Sequence, residues 1–260
     1  MSAPERLAAW LAKHEHRDPK FGHVYRYHSR SDAHSIALCE FVMDDLLAAC
    51  PALREQARAG EVVCGVNVPY LWPGSQKQKT IDLAVGHPTR QVPAEARSGT
   101  GIAKLKEVAD VLVSCEVKTV MTEHQKSQPR LYDELNSSHR IVHQGRSDAI
   151  AAGITVVNVA TTFVSPLRNQ RPDLPLHVTI HKQPQAAESM VKHLRGLPIR
   201  DSVHEEGFDA YCTVVVECDN QSGCNLWTAL PAPQAGERDH YQTFVSRIAR
   251  FYTERFSTVT

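Results

Sequence analysis

The chain has 260 residues, of which 42% are hydrophobic, so it is long and apolar enough to bury a sizeable core. A disordered protein is therefore excluded. Its 29 basic and 29 acidic side chains cancel, and no global charge marks the chain as a nucleic-acid-binding protein. Only local basic patches could supply that affinity.

The amino-terminal segment, "MSAPERLAAWLAKHEHRD", places charges among its apolar residues and lacks the uninterrupted apolar core of a signal peptide. No later run approaches the roughly twenty apolar residues of a membrane span. Seven cysteines, an odd number, are scattered through the predicted elements, which indicates reduced thiols rather than a disulfide framework. We therefore expect a cytoplasmic protein that has no disulfides and no membrane partner.

The first predicted elements are a helix and a hairpin. Residues 31–49 predict an amphipathic helix, because their apolar positions recur on one helical stripe. Residues 62–86 predict a β-hairpin, in which "PGSQKQK" supplies the turn and Asp82 lies in the returning strand. Residues 87–101 contain two prolines and two glycines, which is typical of a mobile loop.

The following elements predict a β-α-β unit. "VLVSCEVKTV", residues 111–120, has the apolar run of a buried strand, and "SQPRLYDELNSSHRIVHQ" predicts a helix with Pro129 in its first turn. "GITVVNVATTFV" is apolar and β-branched, as is typical of a central strand. After a proline-rich connection come a helix near 185–196, a strand in "AYCTVVVECD", and a closing helix from about 237 to 256.

This order predicts an α/β protein with a mixed β-sheet core flanked by helices. We expect a single domain over 1–260, with a core at about 31–163 and a C-terminal elaboration at about 164–260. No internal repeat, low-complexity tract or interdomain linker divides the sequence.

A charge pair within the strand at 111–120 is the first sign of a functional site. Glu116 and Lys118 lie two residues apart, so they point to one face of the strand with about 7 Å between them. Burying such a pair carries a desolvation penalty that apolar residues avoid. The triplet alone is weak evidence, because about one acid-x-lysine triplet is expected by chance in a chain of this composition.

Asp82 strengthens the signal because it lies in an otherwise apolar strand, "TIDLAVG". If that strand pairs with the strand at 111–120, three charged side chains meet at one edge of the sheet. Two converging carboxylates can bind Mg²⁺, which takes one or two protein carboxylates and retains waters. A metal in such a site supports hydrolysis of a phosphodiester.

"ID" at 81–82 followed by "EVK" at 116–118 resembles the core motif of the PD-(D/E)xK nuclease superfamily, which has the restriction-endonuclease-like fold. The resemblance covers about 31–163, and Ile81 replaces the proline of the motif. It implies Asp82 and Glu116 as metal ligands and the carbonyl of Val117 as a further ligand. It also implies Lys118 as the group that activates water or stabilises the transition state.

Two further candidates come from the same resemblance. In many superfamily members a helical glutamate reaches the metal, and Glu40 is the best-placed acid on the helix at 31–49, although surface exposure is the alternative. "QPRLY" resembles the QxxxY element of the RecB-like and phage-exonuclease branches, which implies a catalytic role for Gln128 together with Tyr132. The alternative is that Tyr132 simply packs one helical turn from a polar residue.

Segment 118–146 is also rich in basic and histidine side chains, which either track phosphates or form a solvated helix face. These residues are Lys118, Lys126, Arg130, Arg140, Arg146, His124, His139 and His143.

The sequence therefore predicts a Mg²⁺-dependent endonuclease that cuts double-stranded DNA, with Mn²⁺ as a possible substitute. We expect a homodimer, because two subunits related by a twofold axis most simply cut both strands. A type II restriction-like enzyme and an antiphage-defence effector controlled by a partner or signal both fit. The alternatives are a non-catalytic DNA-binding or assembly protein on a nuclease scaffold, and a RecB-like exonuclease or nickase.

Overall fold

The structure is a computed structural model that describes residues 1–18, 20, 22–73, 78–93, 102–171 and 174–257. The helices are α1 (Ala3–Lys13), α2 (Ala33–Ala49), α3 (Pro51–Ala59), α4 (His124–Gly145), α5 (Gln185–Leu194) and α6 (Tyr241–Phe256). The strands are β1 (His16–Arg17), β2 (Val24–Tyr25), β3 (Val63–Tyr70), β4 (Lys79–His87), β5 (Ala103–Lys104), β6 (Asp110–Val120), β7 (Ile150–Asn158), β8 (Thr162–Val164), β9 (Val178–Ile180), β10 (Ala210–Cys218) and β11 (Cys224–Leu226).

The main sheet has seven strands in the order β11-β10-β7-β6-β4-β3-β5. Strands β6, β7 and β10 are parallel to one another, while β4 is antiparallel to both β3 and β6. The sheet is therefore mixed, and the predicted α/β class and hairpin are confirmed. Two short ribbons, β1 with β2 and β8 with β9, lie outside it.

Helices cover both faces of this sheet. One hydrophobic core lies between the sheet and α1, α2, α3 and α6, and the other lies between the sheet and α4 and α5. All nine residues of β7 are buried, as expected for a parallel strand covered on both faces. This explains why β7 and β10 are nearly continuous apolar runs instead of alternating ones.

Three predicted elements differ in their bounds, and the simplest case is the closing helix, which begins at Tyr241 instead of near 237. Helix α4 begins at His124, so Pro129 lies inside the helix instead of in its first turn. The additional turn is stabilised by a contact with β7, because the His124 ring forms a 2.7 Å hydrogen bond with the backbone carbonyl of Asn158. The sequence pattern does not contain this contact between a helix and a neighbouring strand.

The run at 153–164 is not one strand. It divides into β7 and β8 at the buried Asn158, whose side-chain amide donates to the carbonyls of Met121 and Cys218 at 3.1 and 2.8 Å. The side-chain Oδ1 of Asn158 accepts from the backbone amides of Ala160 and Cys218. This side chain therefore ties the ends of three strands together and turns the chain out of the sheet.

The C-terminal region is continuous with the core. Strands β10 and β11 extend the same sheet beyond β7, and α6 packs on it. The helices α1 and α3 were not anticipated, and residues 94–101 of the expected mobile loop lie outside the described residues. All seven cysteines are buried free thiols. Among the described helices, none has the length and apolar character needed to cross a membrane.

Candidate active site

In the hairpin of β3 and β4, the alternation of side chains between the two faces of the sheet is interrupted at Asp82. Residues two apart in a regular strand share a face of the sheet, yet Leu83 packs in the core with α2 whereas Ile81 packs in the opposite core. The same change occurs in β3 around Asn67, whose φ is +53°. Asp82 therefore leaves the regular alternation, and its side chain turns along the sheet toward β6.

Asp82 contacts the backbone of the EVK triplet. Its Oδ2 atom accepts a 2.7 Å hydrogen bond from the N–H of Val117. The paired register of β4 and β6 ends nearby, at Leu83 and Cys115, so the carboxylate takes the place of a strand partner. The structure thus brings Asp82 to the triplet at the point where the two strands separate.

Both carboxylate oxygens of Glu116 are bound by ammonium groups. Oε1 lies 2.7 Å from Nζ of Lys118, and Oε2 lies 3.1 Å from Nζ of Lys79. Ser138 on α4 donates a 3.0 Å hydrogen bond to Oε2 and accepts one from Lys79. The Glu116 side chain is 12% exposed and each lysine side chain is 28% exposed. The carboxylate is therefore largely buried, and the lysines reach solvent.

The two carboxylates of the site have opposite pKa shifts. The pKa of Asp82 is raised to about 6, first by burial and then by the negative charge of Glu116, although the Val117 amide and the lysines lower it. Burial also acts to raise the pKa of Glu116, but Lys79 and Lys118 outweigh it and hold that pKa below its usual range. Burial acts to lower the pKa of Lys118, and Glu116 outweighs it, so the net direction is upward.

The oxygen donors at this point fit a hard divalent cation. In extended backbone the N–H and C=O of one residue point to the same edge of the strand, so the Val117 carbonyl lies on the Asp82 side of β6. Mg²⁺ needs only one or two carboxylates because it keeps waters, and Asp82 and Glu116 are the two carboxylates of this site that it would bind. No group of three or more His, Cys, Asp or Glu side chains in the described ranges is arranged to hold a metal ion.

Glu40, the weaker candidate ligand, is held elsewhere. Its Oε1 atom lies 2.7 Å from Nζ of Lys104, and its side chain is 42% exposed. The neighbouring Asp44 and Asp45 bind Arg6 from α1. These contacts join α2 to β5 and to α1, and a metal-binding role for Glu40 stays a prediction.

The QxxxY-like pair lies on the side of α4 that faces α5. Gln128 donates a 3.0 Å hydrogen bond to the hydroxyl of Ser189, and Tyr132 donates one of 3.1 Å to the carbonyl of Gly196. The Tyr132 ring also packs against His193. These contacts favour the packing alternative, and a catalytic role for Gln128 stays a prediction that its described contacts do not support.

Helix α4 reaches the site with a different pair, Glu134 and Ser138, which are four residues apart and so share a helix face. Glu134 Oε2 lies 3.7 Å from Nζ of Lys118, and its Oε1 lies 2.6 Å from Nε of Arg130. Lys118 therefore has two carboxylate partners, one buried on its own strand and one on the helix.

The basic residues of segment 118–146 are paired with carboxylates. Lys126 lies 3.8 Å from Glu123, an exposed contact that is worth little. The remaining pairs are Arg130 with Glu134, Arg140 with Glu206, and Arg146 with Asp110 and Asp148. His124 and His139 are buried. The described surface of α4 is therefore an ionic mixture rather than a basic track.

Lys79, Glu134 and Ser138 are the site residues that the sequence did not reveal. Lys79 is three residues before Asp82 in β4, an odd spacing that regular alternation assigns to the other face. Because the alternation is interrupted at Asp82, Lys79 can nevertheless reach Glu116. Ser138 lies in a stretch of polar helix residues, "NSSHR", and only the docking of α4 on β6 distinguishes it from its neighbours.

Comparisons with protein-family models, with curated proteins and with solved structures find no match for this chain. The resemblance to the nuclease superfamily therefore depends on the motif residues and their geometry alone.

Proposed function

We propose that this chain is a Mg²⁺-dependent endonuclease that hydrolyses phosphodiester bonds of double-stranded DNA, with Mn²⁺ able to substitute. The observation that supports it is the meeting of Asp82 with the Glu116–Lys118 pair where β4 and β6 separate. Burying charged groups costs free energy that apolar residues avoid. A partly buried cluster of two carboxylates and two ammonium groups is therefore a candidate functional site.

In this proposal each residue has a defined task. Asp82, Glu116 and the carbonyl of Val117 hold the cation, which supplies Lewis-acid stabilisation of the phosphate and activation of water. Lys118 acts as a cation, because Glu116 lies 2.7 Å from its Nζ atom, and it stabilises the negative charge that develops on the phosphate oxygens. Glu134 and Ser138 orient Lys118 and Glu116 from α4.

The proposal also includes the biological setting. We propose a cytoplasmic homodimer, in which a twofold axis directs one site to each DNA strand, acting as a type II restriction-like enzyme or an antiphage-defence effector. The contacts of Gln128 with α5 favour an endonuclease over the RecB-like exonuclease branch. Cutting of closed circular DNA at a rate at least equal to that of end-labelled linear DNA supports this choice.

The test is cleavage of closed circular plasmid by purified protein in Mg²⁺ and in EDTA. Nicking or linearisation should require the cation, and Asp82→Asn, Glu116→Gln and Lys118→Met should each lower the rate by about 100-fold or more. Glu217→Gln and Lys192→Met are matched controls, because Glu217 is the exposed residue of β10 and Lys192 is an exposed residue of α5. Full activity in any of the three site variants contradicts the assignment.

If the protein binds duplex DNA but does not cut it in the presence of any divalent metal, it is instead a DNA-binding or assembly protein on a nuclease scaffold. The same plasmid assay, run beside a gel-shift measurement, separates the two functions.

A further inference from the structure

Glu116 carries two ammonium partners although a carboxylate has a single negative charge. Lys118 binds Oε1 at 2.7 Å, and Lys79 binds Oε2 at 3.1 Å. A hydroxyl has one donor and two acceptor sites, and Ser138 uses both functions, donating to Oε2 at 3.0 Å and accepting from Lys79. Lys79, Ser138 and Glu116 therefore close a triangle of two hydrogen bonds and one ion pair around one carboxylate oxygen.

The two lysines differ in what else they contact. Lys118 has a second carboxylate, Glu134, at 3.7 Å. Among the described residues, the only carboxylate that forms an ion pair with Lys79 is Glu116. Ser138 is 4% exposed and fixed in α4, whereas the Lys79 side chain is 28% exposed at the start of β4. Lys79 is thus the more weakly held ammonium of the pair.

A divalent cation and two ammonium groups repel one another around a single carboxylate. If a cation binds Glu116 and Asp82, the ammonium with no other carboxylate loses most of its stabilisation. That ammonium is Lys79, because Lys118 keeps Glu134. The nearest new anion in a complex with DNA is a backbone phosphate, which lysine binds as a point charge.

We infer that the Lys79 ammonium occupies the position on Glu116 that a divalent cation would take. Binding of the cation then releases this ammonium, which contacts a phosphate of the DNA. The inference rests on the proposed function and adds to it a residue outside the nuclease motif. It makes Lys79 a link between two ligands, so that cation binding and DNA binding strengthen each other.

The first test is cation affinity, which needs no cleavage. Lys79→Met removes a competitor for Glu116, so Mn²⁺ should bind the full-length protein about two- to fivefold more tightly, as measured by calorimetry or by the electron paramagnetic resonance of free Mn²⁺. Lys79→Arg keeps the positive charge and should stay close to the wild type. Lys192→Met is the control for the loss of a lysine, because Lys192 is exposed on α5. Glu116→Gln should weaken Mn²⁺ binding.

The second test is the coupling between the two ligands. Ca²⁺ replaces Mg²⁺, and the affinity for a fluorescent duplex is measured with and without it. In the wild type Ca²⁺ should strengthen DNA binding about fivefold or more, and in Lys79→Met this gain should fall to about twofold or less. If Lys79→Met does not fold by circular dichroism, Lys79→Gln, which keeps a donor for Ser138, takes its place.

The outcomes separate the two proposals. A wild type that binds Mn²⁺ and cuts DNA, with Lys79→Met unchanged in both cation affinity and coupling, overturns the role of Lys79 and leaves the nuclease assignment standing. A wild type that neither binds Mn²⁺ through Glu116 nor cuts DNA overturns both. Tighter Mn²⁺ binding together with lost coupling supports the inference.

Discussion

Asp209, which is fully buried, and Asp82, which is partly exposed, have opposite surroundings. Asp209, next to the start of β10, accepts from Arg200 Nε at 3.0 Å, Arg255 at 2.7 Å, His143 at 3.1 Å and the Ala151 amide at 2.8 Å. Burial acts to raise its pKa, but the hydrogen bonds from His143 and Arg200 outweigh it and lower the pKa to about 2. This carboxylate is fully compensated by the groups around it.

Asp82 is half-buried, and the groups around it compensate its charge far less. Its described hydrogen bond comes from the Val117 amide, and burial, followed by repulsion from Glu116, raises its pKa to about 6. The lysines of the site bind Glu116 instead. One aspartate therefore stabilises the fold, whereas the other costs stability, and the second kind of group is the one that needs a functional explanation.

The largest expected effect is on Asp209. Asp209→Asn leaves the buried Arg200 and the largely buried Arg255 charged without their carboxylate, so the free energy of unfolding should fall by about 3–5 kcal/mol. Urea denaturation at pH 7 measures it. A loss below about 1 kcal/mol would mean that the arginines find other partners and that the contrast with Asp82 is smaller than the geometry indicates.

Asp82→Asn should act in the opposite direction. Asparagine keeps an acceptor for the Val117 amide and removes the repulsion with Glu116, so the free energy of unfolding at pH 7 should rise by about 1–3 kcal/mol. DNA cleavage should be lost in the same variant. A less stable Asp82→Asn protein at pH 7 would show that the charge of Asp82 is compensated after all.

The stability gained in Asp82→Asn should depend on pH. Because the folded pKa of Asp82, about 6, is above its ordinary value of 3.8, this side chain binds more protons in the folded state between these values, and its own contribution to stability falls as pH rises through this window. The stability difference between Asp82→Asn and the wild type should therefore grow from pH 4 to pH 6 and be constant above it. Asp209 has a lowered pKa, so its contribution is present above 3.8 and is lost as pH falls toward about 2.

Glu116→Gln should destabilise the protein although it lies in the same site as Asp82. The variant leaves Lys79 and Lys118 without their shared counter-charge, while Ser138 keeps an acceptor. Because both lysines are partly exposed, the loss should be about 1 kcal/mol, measured by denaturation at pH 7. A stabilising effect would remove the distinction between the two carboxylates.

The smallest effect is expected at the QxxxY-like pair. Tyr132→Phe removes one exposed hydrogen bond to the Gly196 carbonyl, so stability should change by about 0.5–1 kcal/mol and cleavage should stay the same. Gln128→Ala should behave similarly, because its partner is Ser189 on α5. A loss of cleavage in Gln128→Ala without a loss of stability would restore its catalytic role.

The elements with strong periodicity could be predicted from the sequence. The apolar stripe of α2, the β3–β4 hairpin and the strand β6 follow from alternation and apolar runs, which are properties of local segments. Asp82, Glu116 and Lys118 were singled out because charges in apolar strands are costly and therefore informative. The division of 153–164 at Asn158 and the early start of α4 were missed, because both depend on hydrogen bonds between elements far apart in sequence.

The sequence by itself therefore determined which strands carry the charged side chains of this protein. Tertiary structure alone decided which groups surround them. Lys79 and Ser138 reach Glu116 because β4 changes its facing and α4 docks over β6, and Arg200 and Arg255 reach Asp209 from separate segments of the chain. The physical reason is that a local pattern fixes the face and burial of a side chain, whereas its charge partners depend on strand order and helix packing.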